Sequence, residues 1–178
     1  MLSLLYTDSM IPVRIDTLMV GIPPSPSVIL LRPIKSLSDD EKRVLPIWIG
    51  PSEAASIGFV LEGVQSQRPM THDLLATTIK ALDGEIESVL INRVDGSTFY
   101  ATVYLAQGDK TIEIDARPSD SIALAVRTMA PLFVDEQVME NASHPYRFDQ
   151  NAQLIDENDV EEFKAFLDSI SPEDFCSS

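Results

Sequence analysis

The 178-residue chain carries 28 acidic against 13 basic residues, a formal charge of -15, and 44% of its residues are apolar. That balance disfavours a generic electrostatic grip on nucleic acid, so any chemistry on a polyanion must rest on a local basic patch or on bound metal cations. Length and apolar content suit one domain with a substantial core, and no stretch approaches the roughly 18 apolar residues of a membrane span.

The single cysteine, Cys176, has no partner for an internal disulfide, so a reducing, cytoplasmic setting is expected. Met1 to Tyr6 is apolar but too short for a secretory signal and lacks a positive start, so the chain reads as unexported.

In chain order, strands are predicted over 14–20, 28–31 and 44–49, with Pro23-Pro24-Ser25-Pro26 as a turn and 36–42 as a charged loop. Helical spacing follows in Ile57, Val60, Leu61 and Val64. Thr71 is placed as the N-cap of a second helix, with Leu75, Thr78, Ile79 and Leu82 inward and Gly84 as its stop. Strands are next predicted over 86–94, 98–106 and 110–115. Asp95-Gly96 is a tight-hairpin signal and Gln107-Gly108-Asp109 supplies the following reversal. In the middle strand Phe99, Ala101, Val103 and Leu105 share one face and Tyr100, Thr102 and Tyr104 the other, which predicts a central strand. A third helix carries Ile122, Ala125, Val126 and Met129, followed by a short strand over 132–134 and a helical turn or two over 135–141.

The order strand, strand, strand, helix thus occurs twice. Pro51-Ser52-Glu53 aligns with Pro118-Ser119-Asp120, in each case directly after an apolar strand. The expected fold is α+β: internally duplicated β-β-β-α units forming a mixed or antiparallel sheet with packed helices, plus a C-terminal amphipathic helix. The domain is placed at 10–142, and 143–178 is an acidic extension in which Val160, Phe163, Phe166, Leu167 and Ile170 form an apolar stripe. That stripe is expected to dock on the domain or on a second subunit, since acidic side chains on its other face would be repelled by anionic lipid.

The two corners and the segment joining them hold the candidate chemistry. Proline followed two places on by an acid is a good helix start in its own right, which by itself accounts for Glu53 and Asp120. Arg117 is a poor N-cap and so suggests a carboxylate or phosphate partner. His72, one of two histidines, lies in Arg68-Pro69-Met70-Thr71-His72-Asp73 at a predicted helix start, where imidazole is disfavoured as a cation and stays available as base or ligand. Asp73 in the first turn is also explained as a helix-start acid. His144-Pro145-Tyr146 reads as a loop. HExxH, paired CxxC, GxGxxG, GxxxxGK[ST] and GxSxG patterns are all absent. Oxygen-rich coordination of a hard divalent ion remains open, with Glu53, Asp73, Asp115 and Asp120 as candidates.

Four blocks carry a close resemblance to the bifunctional nuclease domain family: 45–54 (LPIWIGPSEA), 61–63 (LEG), 68–75 (RPMTHDLL) and 114–125 (IDARPSDSIALA). The resemblance spans roughly 14–140, leaves the acidic tail outside, and lacks the Arg-rich UvrB/UvrC-type helical motif that some relatives carry. It implies an α+β domain and, by the family's name, cleavage of both RNA and DNA. Site assignments come instead from the chemistry. Asp115, Asp120 and Glu53 would hold Mg²⁺ or Mn²⁺, His72 would activate water or orient it with Asp73, and Arg68 and Arg117 would neutralise the scissile phosphate. The competing reading is a non-enzymatic oligomeric binding or regulatory module in which the same arginines form ion pairs. A homodimer or larger assembly is expected in either case.

Overall fold

The computed structural model describes residues 9–21, 26–35 and 43–145. The first unit consists of β1 (Met10–Met19), β2 (Ser27–Pro33), β3 (Arg43–Ile49) and α1 (Pro51–Leu61). After α2 (Thr71–Ala81), the second unit consists of β4 (Gly84–Asp95), β5 (Thr98–Gln107), β6 (Lys110–Ala116) and α3 (Pro118–Thr128). Then come β7 (Leu132–Asp135), α4 (Glu136–Ala142) and the two-residue β8 (His144–Pro145).

The strands form one mixed sheet in the order β6-β5-β4-β7-β1-β2-β3-β8. Each unit is an antiparallel meander. Between them β7 runs antiparallel to β1 and parallel to β4, so the first strands of the two units point in opposite directions. The duplication is therefore arranged as an approximate half-turn about β7, which places the β3-to-α1 and β6-to-α3 corners toward opposite ends of the strand order. Those corners nevertheless touch, which requires the sheet to coil strongly. Register shifts at Ile15/Thr17, Ile86/Ser88 and Ile91/Arg93 supply bulges of the kind that bend and twist strands.

One face of the sheet supplies Ile29, Leu31, Leu45, Val89, Ile91 and Val134 to a core closed by Ile57 of α1 and Ile122 of α3, all eight fully buried. With alternating strand faces, one side of each strand reaches this core, as Ala101, Val103 and Leu105 do in β5. The hairpin expected at Asp95-Gly96 forms, with Asp95 opposite Thr98 and Gly96 at φ 55°. β5 lies between β4 and β6, one place in from the edge rather than at the sheet centre.

The helices depart further from expectation. Residues Glu62 and Gly63 end α1, with Gly63 at φ 69°, so Val64 lies outside the helix and half exposed, and the face α1 buries is Ala54, Ser56 and Ile57. No residue of α2 is fully buried. Its partly buried Ala76 and Ile79 pack on the core, while Leu75 and Leu82, expected inward, are exposed. Thr71 is the first helical residue and not the cap. The cap is Met70, whose backbone N–H donates to Asp73 Oδ2 at 2.8 Å, so the acid three places on does the capping from inside the helix. Asp83, at φ 58°, takes the left-handed position at the end of α2, and Gly84 opens β4. Met129 likewise takes the left-handed C-cap of α3 and is 90% exposed, because a chain turning left-handed there swings the side chain off the helix face. The expected C-terminal helix lies outside the described residues. Among those described, no helix is long and apolar enough to cross a membrane.

Candidate functional site

Both corners follow one plan. Pro51 and Pro118 occupy the first helical position, where proline's fixed φ suits helix entry and its missing N–H costs nothing. Glu53 and Asp120 follow in the first turn, at the positive end of the helix dipole. The cap residues differ: Gly50 stands where the second corner has Arg117.

That difference builds the site. A Cβ on Gly50 would lie 2.4 Å from Glu53 Oε2, so the missing side chain is what lets the Glu53 carboxylate fold back over its own cap, where Ser52 Oγ donates to Oε2 at 2.8 Å. On the second corner Arg117 donates through Nε to Asp120 Oδ2 at 2.8 Å and through Nη2 to Oδ1 at 3.0 Å. The same Nη2 lies 3.1 Å from Glu53 Oε1. One guanidinium, 67% exposed, thus bridges equivalent carboxylates of the two repeats. The Ser52 hydroxyl, the residue's own backbone N–H and Arg117 hold the Glu53 carboxyl below the usual range despite partial burial. Burial pushes Asp120 up, but hydrogen bonds from Arg117 and His72 outweigh it and leave its carboxyl low. Asp120 in turn, with Glu53, raises Arg117.

His72, in the first turn of α2, joins this corner from a helix that belongs to neither repeat. Its Nε2 lies 3.1 Å from Asp120 Oδ1 and its Nδ1 lies 2.8 Å from the hydroxyl of Ser56, a 2% exposed residue on α1. Behind Ser56 sits Arg127 in the last turn of α3, with a side chain only 7% exposed. Arg127 donates to Asp73 Oδ1 at 2.5 Å, to Ala123 O at 2.9 Å, and to both Ser56 O and Ser56 Oγ at 3.1 Å. Burial raises Asp73, but the Met70 N–H and Arg127 more than offset it. A continuous polar chain results: Asp73, Arg127, Ser56, His72, Asp120, Arg117, Glu53, Ser52.

Two clefts open at its ends. One, of about 330 Å³, is walled by Trp48, Gly50, Glu53, Thr98, Phe99 and Arg117, drawing on both ends of the strand order. The other, of about 350 Å³, is walled by Phe59, Val64, Gln65, Met70, Asp73 and Arg127.

Of the residues singled out from sequence, Glu53, His72, Arg117 and Asp120 meet at one corner, and Asp73 connects to them through Arg127 and Ser56. Asp73 Oδ2 accepts from the Met70 N–H and Oδ1 from Arg127, which ties its carboxylate to the α2 cap and to α3. Both ring nitrogens of His72 are also engaged. Asp115 is exposed on β6 opposite Thr102, and Arg68 is exposed in the connection before α2, so neither side chain enters the network. Among the described residues no group of three or more His, Cys, Asp or Glu side chains is arranged to hold a metal. Glu53, Asp115 and Asp120 do not form a ligand set as placed, since the cation between Glu53 and Asp120 is Arg117 itself. Ser56 and Arg127 were not foreseen. Their one sequence signal is a serine and an arginine within otherwise apolar helical stretches, Ala54-Ala55-Ser56-Ile57 and Ala125-Val126-Arg127.

The bifunctional nuclease domain matches residues 36–147. An uncharacterized protein of Mycobacterium tuberculosis is 42% identical over 166 residues, 92% of this chain and 96% of the relative. Bifunctional nuclease 2 of Oryza sativa subsp. japonica is 28% identical over 114 residues, covering 62% of this chain and 34% of the plant protein. Bifunctional nuclease 2 of Arabidopsis thaliana is 26% identical over 106 residues, covering 58% and 32% respectively. The plant proteins are thus matched over about a third of their length.

Proposed function

This chain belongs to the bifunctional nuclease domain family, and on that premise we propose that it hydrolyses phosphodiester bonds in RNA and DNA at the corner where Arg117 faces the smaller cleft. The observation carrying this reading is the exposed Arg117 guanidinium, fixed in orientation by two carboxylates yet open to solvent on its outer side. Held so, it is ready to donate to the non-bridging oxygens of a phosphate and to stabilise the charge that grows there when water attacks phosphorus. A carboxylate offers about four acceptor positions, of which Asp120 uses three, two on Oδ1 and one on Oδ2. The remaining position on Oδ2 accepts from the attacking water and takes its proton as the new O–P bond forms; the ester O–P bond breaks, its departing oxygen takes a proton from solvent, and His72 backs the carboxylate's charge from behind.

Two carboxylates against one guanidinium leave the corner negative, which by itself repels a polyanion. A hard divalent cation, Mg²⁺ or Mn²⁺, therefore belongs to the proposal as an ion carried in on the substrate's phosphates, the described residues forming no resident site for it. We place the activity in the cytoplasm and in a homodimer or larger assembly. The assembly rests on the apolar side chains Leu74, Leu75, Leu82, Ile112 and Ile114, exposed on α2, its end and β6.

The test is cleavage of single-stranded RNA and DNA by purified wild type, Asp120→Asn, His72→Ala and Asp115→Asn, each with and without EDTA. Asp120→Asn is expected to lose about 10² to 10⁴ in rate, His72→Ala part of that through the freed Asp120 rotamer, and Asp115→Asn far less. Wild-type turnover in both of the first two would place the activity elsewhere. A non-enzymatic binding or regulatory module is the second reading, favoured by the internal carboxylate partners that Arg117 and Arg127 both have. No turnover under any metal, together with a stable oligomer, would select it.

A further inference from the structure

We propose that Ser56 and Arg127 act as positioning residues that lock His72 in the neutral tautomer protonated at Nε2, so that the ring serves as a fixed donor to Asp120. The inference deepens the nuclease reading, since it assigns how the water-orienting carboxylate is held, but its physical content does not depend on turnover.

The argument is one of donors and acceptors. A guanidinium only donates, so Arg127 Nη2, 3.1 Å from Ser56 Oγ, must occupy a lone pair of that hydroxyl. The hydroxyl's single proton then needs an acceptor, and Ser56 is 2% exposed, so water is not the answer. Among the described residues its remaining partner is His72 Nδ1 at 2.8 Å. Nδ1 therefore accepts, and the ring proton lies on Nε2, pointing at Asp120 Oδ1 3.1 Å away. The opposite tautomer fails twice. It would direct two donors at Ser56 while stranding the serine proton, and it would set the Nε2 lone pair against a carboxylate oxygen. An imidazolium satisfies Asp120 but still strands the serine proton in a buried site, which is costly.

Arg127 is held rigidly enough to impose this. Its other bonds run to Asp73 on α2, to the Ser56 carbonyl on α1 and to Ala123 on its own helix, so α1, α2 and α3 meet on one guanidinium. The consequence for chemistry is that His72 is not the proton-abstracting base. Its Nδ1 is consumed inward, and its Nε2 proton fixes the rotamer of Asp120 while the Asp120 Oδ2 side remains reachable.

The experiment is ¹⁵N-histidine NMR of the full chain at neutral pH, with the two histidines assigned by a His144→Gln variant. His72 is expected to show an unprotonated, hydrogen-bonded Nδ1 and a protonated Nε2. In Ser56→Ala the Nδ1 resonance should move to the value of a nitrogen without a donor, and Ser56→Thr, which restores the hydroxyl, should bring it back. A wild-type spectrum with Nδ1 protonated, or a Ser56→Ala spectrum with Nδ1 unmoved, overturns the proposal. Because the readout is spectroscopic, a chain that folds with this tautomer but cleaves nothing would defeat the nuclease reading alone.

Discussion

Arg117 reaches Glu53 across the repeat: its Nη2 lies 3.1 Å from Oε1 of a residue at the position equivalent to Asp120, its partner in the same turn. The bridge exists because the two cap positions are chemically unequal. Gly50 leaves room for a folded-back carboxylate, and Arg117 fills the corresponding place with a cation long enough to serve both.

Arg117→Ala should separate stability from activity. Its guanidinium is mostly exposed, and exposed ion pairs contribute about 0 to 1 kcal/mol, so the melting temperature should barely move. Turnover should fall by about 10² to 10³, the usual loss for one donor to a developing oxyanion. Parallel assays of unfolding and of nucleic-acid cleavage check this. Equal losses in both would make Arg117 structural.

Gly50→Ala is predicted to fold normally while breaking the bridge. Gly50 has an extended backbone, φ -72° and ψ 162°, which alanine adopts without strain. The added Cβ meets the tip of the flexible Glu53 side chain and no backbone. The change should cost less than about 1 kcal/mol, and the Glu53 carboxyl, followed by ¹³C NMR titration, should rise toward its ordinary pKa.

Acid should weaken the fold in a defined window. Glu53, Asp73 and Asp120 all have carboxyls held below their ordinary pKa, so near those values the unfolded chain binds more protons than the folded one. The stability they contribute is complete above about pH 4 to 5 and is lost as pH falls through their lower folded values. Urea midpoints measured from pH 7 to pH 3 should drop at the acid end, and Asp120→Asn should flatten that drop. A midpoint that holds constant into acid would contradict the assignment.

Met129→Gly should stabilise the protein. Met129 is a non-glycine residue at φ 58°, 90% exposed, so it has the left-handed penalty and little burial to offset it. Relief of about 1 kcal/mol is expected, equivalent to roughly 2–4 °C in melting temperature for a chain of this size. A decrease would mean that the exposed thioether is held by a contact not seen in the monomer.

The strands were legible because their signals are local. Alternation and the Asp95-Gly96 and Gln107-Gly108-Asp109 turns place β4, β5 and β6 within a few residues of their observed limits, Gly84–Asp95, Thr98–Gln107 and Lys110–Ala116. The faces of α1 and α2 were less so, since α1 stops at Leu61 and α2 rides on the surface, so apolar periodicity there pointed in part at residues that tertiary packing leaves exposed, whereas Ile122 and Ala125 of α3 are buried as expected.

By itself the sequence determined the repeated β-β-β-α order, the proline-led corners with Glu53 and Asp120, and the candidacy of His72 and Arg117, because each depends on spacing within one turn or one strand. Only the tertiary structure decided that the coiled sheet brings the corners together, that Asp115 and Arg68 stand apart, and that Ser56 and Arg127 complete the network. Those outcomes depend on where three helices pack on one another, and the partners of Arg127, 54 and 71 residues away, leave no periodic trace along the chain.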